Sequence, residues 1–197
     1  MERLREWICR EAQVLGTDFL RVDGILNHQI DPAFISLVGD QLTTHFKGKG
    51  ATCVLTAEAA GNIVAYELAR RLGIRALYAK KGKAATMIRP IVRTVLSPTK
   101  GTKTELAISG DYLGPDDRVI VVDDFLYQGV TSAALGDMVL EAGGNLIGFG
   151  FVIEKMFAHG REGLHRFNVP VMSLAPIELM NLEDGSIVFA QGDEVQV

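Results

Sequence analysis

Val119-Ile120-Val121-Val122 runs without a polar break into Asp123-Asp124, and Phe125-Leu126-Tyr127-Gln128-Gly129-Val130-Thr131 then leads into a helical pattern. Four β-branched residues in a row predict a buried strand over 118–122, bounded by a short glycine-containing loop. Two carboxylates at the end of a strand accept hydrogen bonds from the paired hydroxyls of a ribose, as the acid at the end of a dinucleotide-binding strand does. The loop amides and the positive end of the following helix suit a phosphate. A capped β-α turn in an ordinary sheet also uses Asp here, so the thirteen residues need support from the rest of the chain.

That support begins with the order of elements. Leu4, Trp7, Ile8 and Glu11 fall at helical spacing, which predicts an amphipathic helix over 2–12. Asp31-Pro32 reads as an N-cap with proline at the first helical position, and Phe34, Leu37, Val38, Leu42 and Phe46 mark the apolar face behind it. Strands are expected over 52–56, 75–79, 118–122, 146–153, 169–174 and 186–190, with helices from Gly61 to Gly73 and over 131–142. Residues 86–96 and 103–109 alternate as two strands of an excursion around Pro98-Thr99-Lys100-Gly101. Strands and helices alternating from about 50 to 155 imply an α/β fold with a parallel sheet flanked by helices. At 197 residues the chain suits a single domain.

Composition excludes some classes. A formal net charge of −4 and a pI near 5.6 argue against general binding to nucleic acid, which needs a basic face. No CxxC or Cys/His spacing suggests a metal site; Cys53 lies in a buried strand and Cys9 in the first helix. The first residues lack the apolar core of a signal peptide and no stretch is long enough to span a membrane, so a cytoplasmic location is expected.

Further candidates follow. Thr56-Ala57-Glu58-Ala59-Ala60-Gly61-Asn62 joins a strand to a helix, and in a parallel sheet it shares the carboxyl edge with Asp123-Asp124; its small residues let a diphosphate approach the backbone. From Lys80 to Lys103 there are Lys80, Lys81, Lys83, Arg89, Arg93, Lys100 and Lys103, with no acid between them: a local positive field for a polyanion, or a solvated hairpin. Lys81-Gly82-Lys83 and Pro98 to Gly101 suit a lid. Asn27 offers donor and acceptor to a heterocycle edge, His28 is given no role, and Lys155 behind a buried strand offers donors to a ring oxygen.

The segment 119–131 resembles the PRPP-binding motif of phosphoribosyltransferases (PRPP, 5-phosphoribosyl-1-diphosphate). Together with Leu26-Asn27-His28-Gln29-Ile30-Asp31-Pro32, Ile153-Glu154-Lys155 and Gly160-Arg161-Glu162, it makes almost the whole chain similar to the xanthine phosphoribosyltransferases of the Gram-positive bacterial type. The resemblance implies a type I phosphoribosyltransferase fold in a single domain, with a core of about 33–155 and a small hood from about 1–32 and 155–197. It implies purine salvage from xanthine and PRPP, a homodimer, and Mg²⁺ bound mainly through PRPP. Asp123 and Asp124 are expected to be catalytic. Tyr127, Gln128, Gly129, Val130, Thr131 and Lys81 are expected to hold PRPP, and Leu20, Asn27 and Lys155 the base. Tyr127 and Gln128 depart from the residues usual in that loop, and Ala59-Ala60 lacks the hydroxyls often found beside the diphosphate. Guanine or hypoxanthine as the base is the nearest alternative. A PRPP-sensing regulator without enzymatic activity and a generic nucleotide-binding protein are more distant ones.

Overall fold

The computed structural model describes residues 1–96 and 101–190. Its centre is an eight-stranded sheet in the order β10-β9-β8-β7-β3-β4-β6-β5. The strands are β3 (Cys53–Ala57), β4 (Arg75–Lys81), β5 (Pro90–Leu96), β6 (Lys103–Ser109), β7 (Arg118–Leu126), β8 (Asn145–Lys155), β9 (Val171–Met180) and β10 (Ile187–Phe189). The block from β9 to β4 is parallel, and β10, β6 and β5 add antiparallel margins. A separate two-stranded hairpin, β1 (Gln13–Val14) and β2 (Leu20–Arg21), precedes the sheet.

β7 takes the middle of the parallel block because it is apolar toward both sides. Ile120 and Val122 join the core formed with α1 (Glu2–Glu11), α2 (Pro32–Phe46) and α3 (Gly61–Leu72). Val119 and Val121 join the core under α4 (Val130–Glu141). β8 clears space for α2 with two glycines. A Cβ at Gly148 or Gly150 would lie 3.1 or 3.0 Å from the buried ring of Phe46.

Helix boundaries follow their sequence signals. The Asp31 carboxylate accepts from the Ala33 and Phe34 amides at 2.8 and 3.1 Å, with Pro32 at the first helical position. α3 stops at Gly73 in the left-handed region, φ 69°. Behind α4, the amides of Gly143 and Gly144 return to Leu140 and Val139.

Several strands differ from expectation. The strand expected over 118–122 runs on to Leu126, so both aspartates lie within it; Asp123 pairs with Phe151 and Phe125 with Ile153 of β8. The strand expected from residue 86 begins at Pro90. A proline without an N–H fits the first residue of an outer strand, and the residues before it form a turn in which the Met87 amide donates to Ala84. The hairpin tip expected at 98–101 lies mostly outside the described residues. β9 continues past the expected end at 174, through Pro176, where its outer neighbour is the short, bulged β10. Beyond residue 155, then, the chain adds two more strands to the same sheet.

From β3 the chain steps to β4 on one side and returns to β7 on the other. Such a reversal opens a crevice at the carboxyl edge, where open α/β sheets bind ligands. Ala57, Lys81, Leu126 and Lys155 end their strands at that edge.

Candidate functional site

Asp123 and Asp124 sit in the crevice, each half-buried. Asp123 accepts from the Asp124 amide at 3.0 Å, and Asp124 accepts from the Phe125 amide at 3.0 Å, so both carboxylates are fixed by the backbone of β7. The start of α3 presses against them. A Cβ on Gly61 would stand 2.6 Å from Asp123 Oδ1 and closer still to Thr56 Oγ1. The 56–62 loop and the acid pair therefore lie side by side at the carboxyl edge of the sheet. Desolvation pushes the Asp123 carboxyl well above the ordinary range. The charge of Asp124 and a hydrogen bond to it push the same way, against the Asp124 amide and the nearby charge of Lys81.

The 56–62 loop is pinned to β4: the Glu58 amide donates to Ala79, and the Glu58 carboxylate accepts from the Lys81 amide at 2.6 Å. The Glu58–Ala59 peptide is cis. A cleft of about 370 Å³ opens beside the loop, lined by Leu26, Asn27, His28, Ala59, Ala60 and Asn62 among others. Asn27 ends a π-helical turn, Asp23–Asn27, that the sequence did not suggest. The Asn62 side-chain oxygen is buried there without a partner among the described residues. Buried polar atoms are rarely left so.

Tyr127 to Thr131 turns from β7 into α4. Gly129 has φ 71° and caps the helix without a side chain, so the first amides of α4 stay open to an anion. The loop rests on Gly160. A Cβ on Gly160 would lie 2.8 Å from the Tyr127 carbonyl carbon and 2.9 Å from the Gly129 nitrogen. The sequence placed Gly160 only within a resemblance; its fit against the loop depends on tertiary contact.

Lys155 is 9% exposed. Its ammonium lies 5.1 Å from the Phe125 ring and 5.4 Å from the Tyr127 ring, and donates to the backbone oxygen of Asp18. Burial lowers its pKa, and the charges of Asp18 and Asp124 oppose that. Lys155 is thus electrically within reach of the acid pair. Leu20 is buried in the core cluster that also holds the apolar faces of α1, α2 and α3. Asn27, on the neighbouring cleft, has no hydrogen bond to Lys155.

Glu154 does not partner Lys155. It is buried and accepts from Arg161 Nε at 3.0 Å, Arg161 Nη2 at 2.5 Å and Ser173 Oγ at 2.5 Å, while Arg161 Nη1 donates to the Val171 oxygen at 2.7 Å. This clamp fixes Lys155 on one side and Gly160 on the other. Arg161→Met should cost about 3–5 kcal/mol in urea unfolding, because it strands a buried charge. A loss under about 1 kcal/mol would refute the clamp.

The basic run divides. Arg89 pairs with Asp111 at 2.8 Å and Arg93 with Glu141, so both are spent on structure. Lys81 acts on Asp123, and Lys100 lies outside the described residues. Cys9 and Cys53 are unpaired thiols, and burial raises Cys53 to about 11. Among the described residues, no cluster of three or more His, Cys, Asp or Glu forms a metal cage, and no helix is long and apolar enough to cross a membrane.

No protein-family model matches the chain. It is 42% identical over 190 residues to the xanthine phosphoribosyltransferase of Heliobacterium modesticaldum, covering 96% of this chain and 100% of that protein. It is 40% identical to that of Pseudomonas fluorescens, over 97% and 100% of the two chains. With that of Bacillus cytotoxicus it shares 37% identity over the full length of both. Among solved structures, adenine phosphoribosyltransferase from Leishmania donovani superposes with a TM-score of 0.76 over 98% of this chain and 89% of that one, at 17% identity. The Trypanosoma brucei adenine enzyme, in complex with AMP, pyrophosphate and ribose-5-phosphate, gives 0.75 over 98% and 88%, at 18% identity. At those identities the two structures speak for the fold.

Proposed function

The chain belongs to the xanthine phosphoribosyltransferases, and from that premise we propose how its residues divide the work. The reaction of this purine-salvage enzyme joins xanthine to the phosphoribosyl group of PRPP, giving XMP and diphosphate. The purine nitrogen forms the new bond to the anomeric carbon as the bond to diphosphate breaks. Positive charge builds on the ribose, as in glycoside chemistry.

The observation that carries the assignment is the backbone-fixed acid pair against the first turn of α3. Asp123 and Asp124 take the two ribose hydroxyls and place negative charge beside the developing cation, the kind of preorganised stabilisation that dominates many active sites. The small residues Ala59 and Ala60 leave the diphosphate to the backbone of the 56–62 loop, with Lys81 at its side. The remaining phosphate of PRPP falls to the open amides of Gln128 to Thr131 at the start of α4.

Mg²⁺ binds through one or two carboxylates plus substrate phosphates rather than in an all-protein cage. Asp123 and Asp124 supply that number, so the residues present fit an ion carried in by PRPP. Bound there, it would neutralise charge on the leaving diphosphate.

Lys155 selects the base. An ammonium among aromatic rings, with water largely excluded, favours a ring oxygen; guanine offers an amino group at that position and hypoxanthine a hydrogen. Leaving such a donor unmatched is costly. Asn27 takes another edge of the purine from the neighbouring cleft. The segment 1–32, which carries Asn27 and Asp18, covers the acid pair together with the stretch around Gly160, while β9 and β10 beyond it belong to the central sheet. We place the enzyme in the cytoplasm as a homodimer.

Diphosphate release measured with xanthine, guanine, hypoxanthine and adenine in turn tests this reading. Xanthine is expected to be fastest, and Lys155→Ala should erode that preference by ~10-fold or more while PRPP binding changes less. Unchanged ranking of the bases in the variant would sink the role of Lys155.

A further inference from the structure

The tip of the β1–β2 hairpin, residues 15–19, closes on itself through the Leu15 amide and the Phe19 oxygen at 2.9 Å. Its large side chains gain it little: Leu15 is 61% exposed and Phe19 60%. Among the described residues, two hydrogen bonds reach from this tip to the sheet, and both end on Asp18. The Tyr127 hydroxyl donates to Asp18 Oδ2 at 3.1 Å, and the Lys155 ammonium donates to the Asp18 backbone oxygen. Tyr127 begins the loop that receives a phosphate, and Lys155 faces the base.

We infer that Asp18 is a positioning residue that couples the two substrate subsites, transmitting the state of the phosphate loop through Tyr127 to the base-selecting ammonium of Lys155. The inference rests on the roles given above to Lys155 and to the 127–131 loop.

The geometry explains why a lightly packed tip stays in place. A hairpin with exposed apolar side chains and few buried contacts belongs to the low-stability end of a fold, where opening is easy. Here its closure depends on groups that ligands also engage. A phosphate at the α4 N-terminus orders Tyr127, which steadies the Asp18 carboxylate. The Asp18 backbone oxygen then holds one of three ammonium donors of Lys155, leaving the others for the base. The Phe125 and Tyr127 rings limit where that ammonium can go. Ordering once for the first ligand lowers the cost for the second, which is positive coupling, and it must be reciprocal. The Asp18 charge also supports the ammonium against burial.

The test is a binding cycle without turnover. Xanthine affinity is measured by calorimetry with and without saturating ribose 5-phosphate, which fills the phosphate loop but cannot react. In the parent protein, ribose 5-phosphate should tighten xanthine binding by roughly 5- to 10-fold, a typical coupling for one charge-assisted hydrogen bond. Tyr127→Phe keeps the ring beside Lys155 and removes the hydroxyl; Asp18→Ala removes its acceptor. Each should bring the ratio close to one, and the double variant should do no more than either alone. Asp18→Asn keeps an acceptor oxygen and should restore part of the coupling, which a merely structural role would not require. No coupling in the parent, or equal coupling in the parent and in both single variants, overturns the inference. A parent that prefers guanine to xanthine but keeps Asp18-dependent coupling would sink the base assignment and leave the inference standing.

Discussion

Asp124→Ala is expected to lower kcat/KM for PRPP by ~100-fold or more, the scale of losing one preorganised electrostatic group. The variant should fold, since the carboxylate is half-buried and its backbone stays in β7 between β3 and β8. Activity near that of the parent would refute the assignment. Its neighbour gives the matching stability test. Native Asp123 holds its proton more tightly than unfolded Asp123 does. Between the unfolded pKa, roughly 4, and the raised native value, the native state binds more protons. Stability contributed by this group therefore falls as pH rises. Asp123→Asn keeps an acceptor for the Asp124 amide and removes the charge. Its melting temperature should exceed the parent's at pH 8, and the gap should close as pH falls toward 4, while activity is lost. A variant less stable than the parent at every pH would show that the carboxylate is not held at a cost. Sites that exchange stability for function in this way are commonly active sites.

How much of this was readable beforehand varied with the range of the forces involved. The acid pair, the α2 cap at Asp31-Pro32 and the stop at Gly73 were legible because each is set by neighbouring residues. β7 was underestimated: two carboxylates look like a strand end, yet β8 continues to pair beside them as far as Glu154. β9 was cut short at 174, whereas it runs on through Pro176 to Met180 beside the short outer strand. Lys155 stood out beside a strand expected to end at 153, and in the structure it is the last residue of that strand, β8. That Glu154 turns away into the Arg161 clamp was not legible, because a strand shows two faces and sequence does not say what covers them. Asp18 left no trace at all. It sits in a hairpin of two-residue strands, too short for an alternation to register, and its partners are 109 and 137 residues away. The basic run stayed open between a positive field and a solvated hairpin, because the acids that pair with Arg89 and Arg93, Asp111 and Glu141, are distant in sequence.

Gly160→Ala should cost about as much activity as losing an aspartate, although Gly160 carries no functional group. The added methyl carbon would stand 2.8 Å from the Tyr127 carbonyl carbon and 2.9 Å from the Gly129 nitrogen, and still closer to the Tyr127 oxygen. None of these is the far end of a flexible side chain; each is backbone of the phosphate loop. Gly129 meets the same constraint from the other side, for its own Cβ would run into the Gly160 backbone, and its φ of 71° already favours glycine. Gly160 cannot easily retreat, because the adjacent Arg161 is anchored to Glu154, Ser173 and the Val171 oxygen. The loop must therefore move, by on the order of 1 Å, and a displacement of that size at a substrate-positioning element costs about 100-fold. The loss should fall on kcat/KM for PRPP, and ribose 5-phosphate should bind more weakly, since the open amides of α4 no longer converge on one phosphate. Overpacking adds about 1–3 kcal/mol of destabilisation, which urea unfolding measures separately. Gly163→Ala is the control: it lies three residues on, with open space around it and no positive φ, and should leave both readouts near the parent's. Equal effects at 160 and 163 would mean that the segment is sensitive in general and that the backbone contact with Tyr127 and Gly129 is not what holds the phosphate loop.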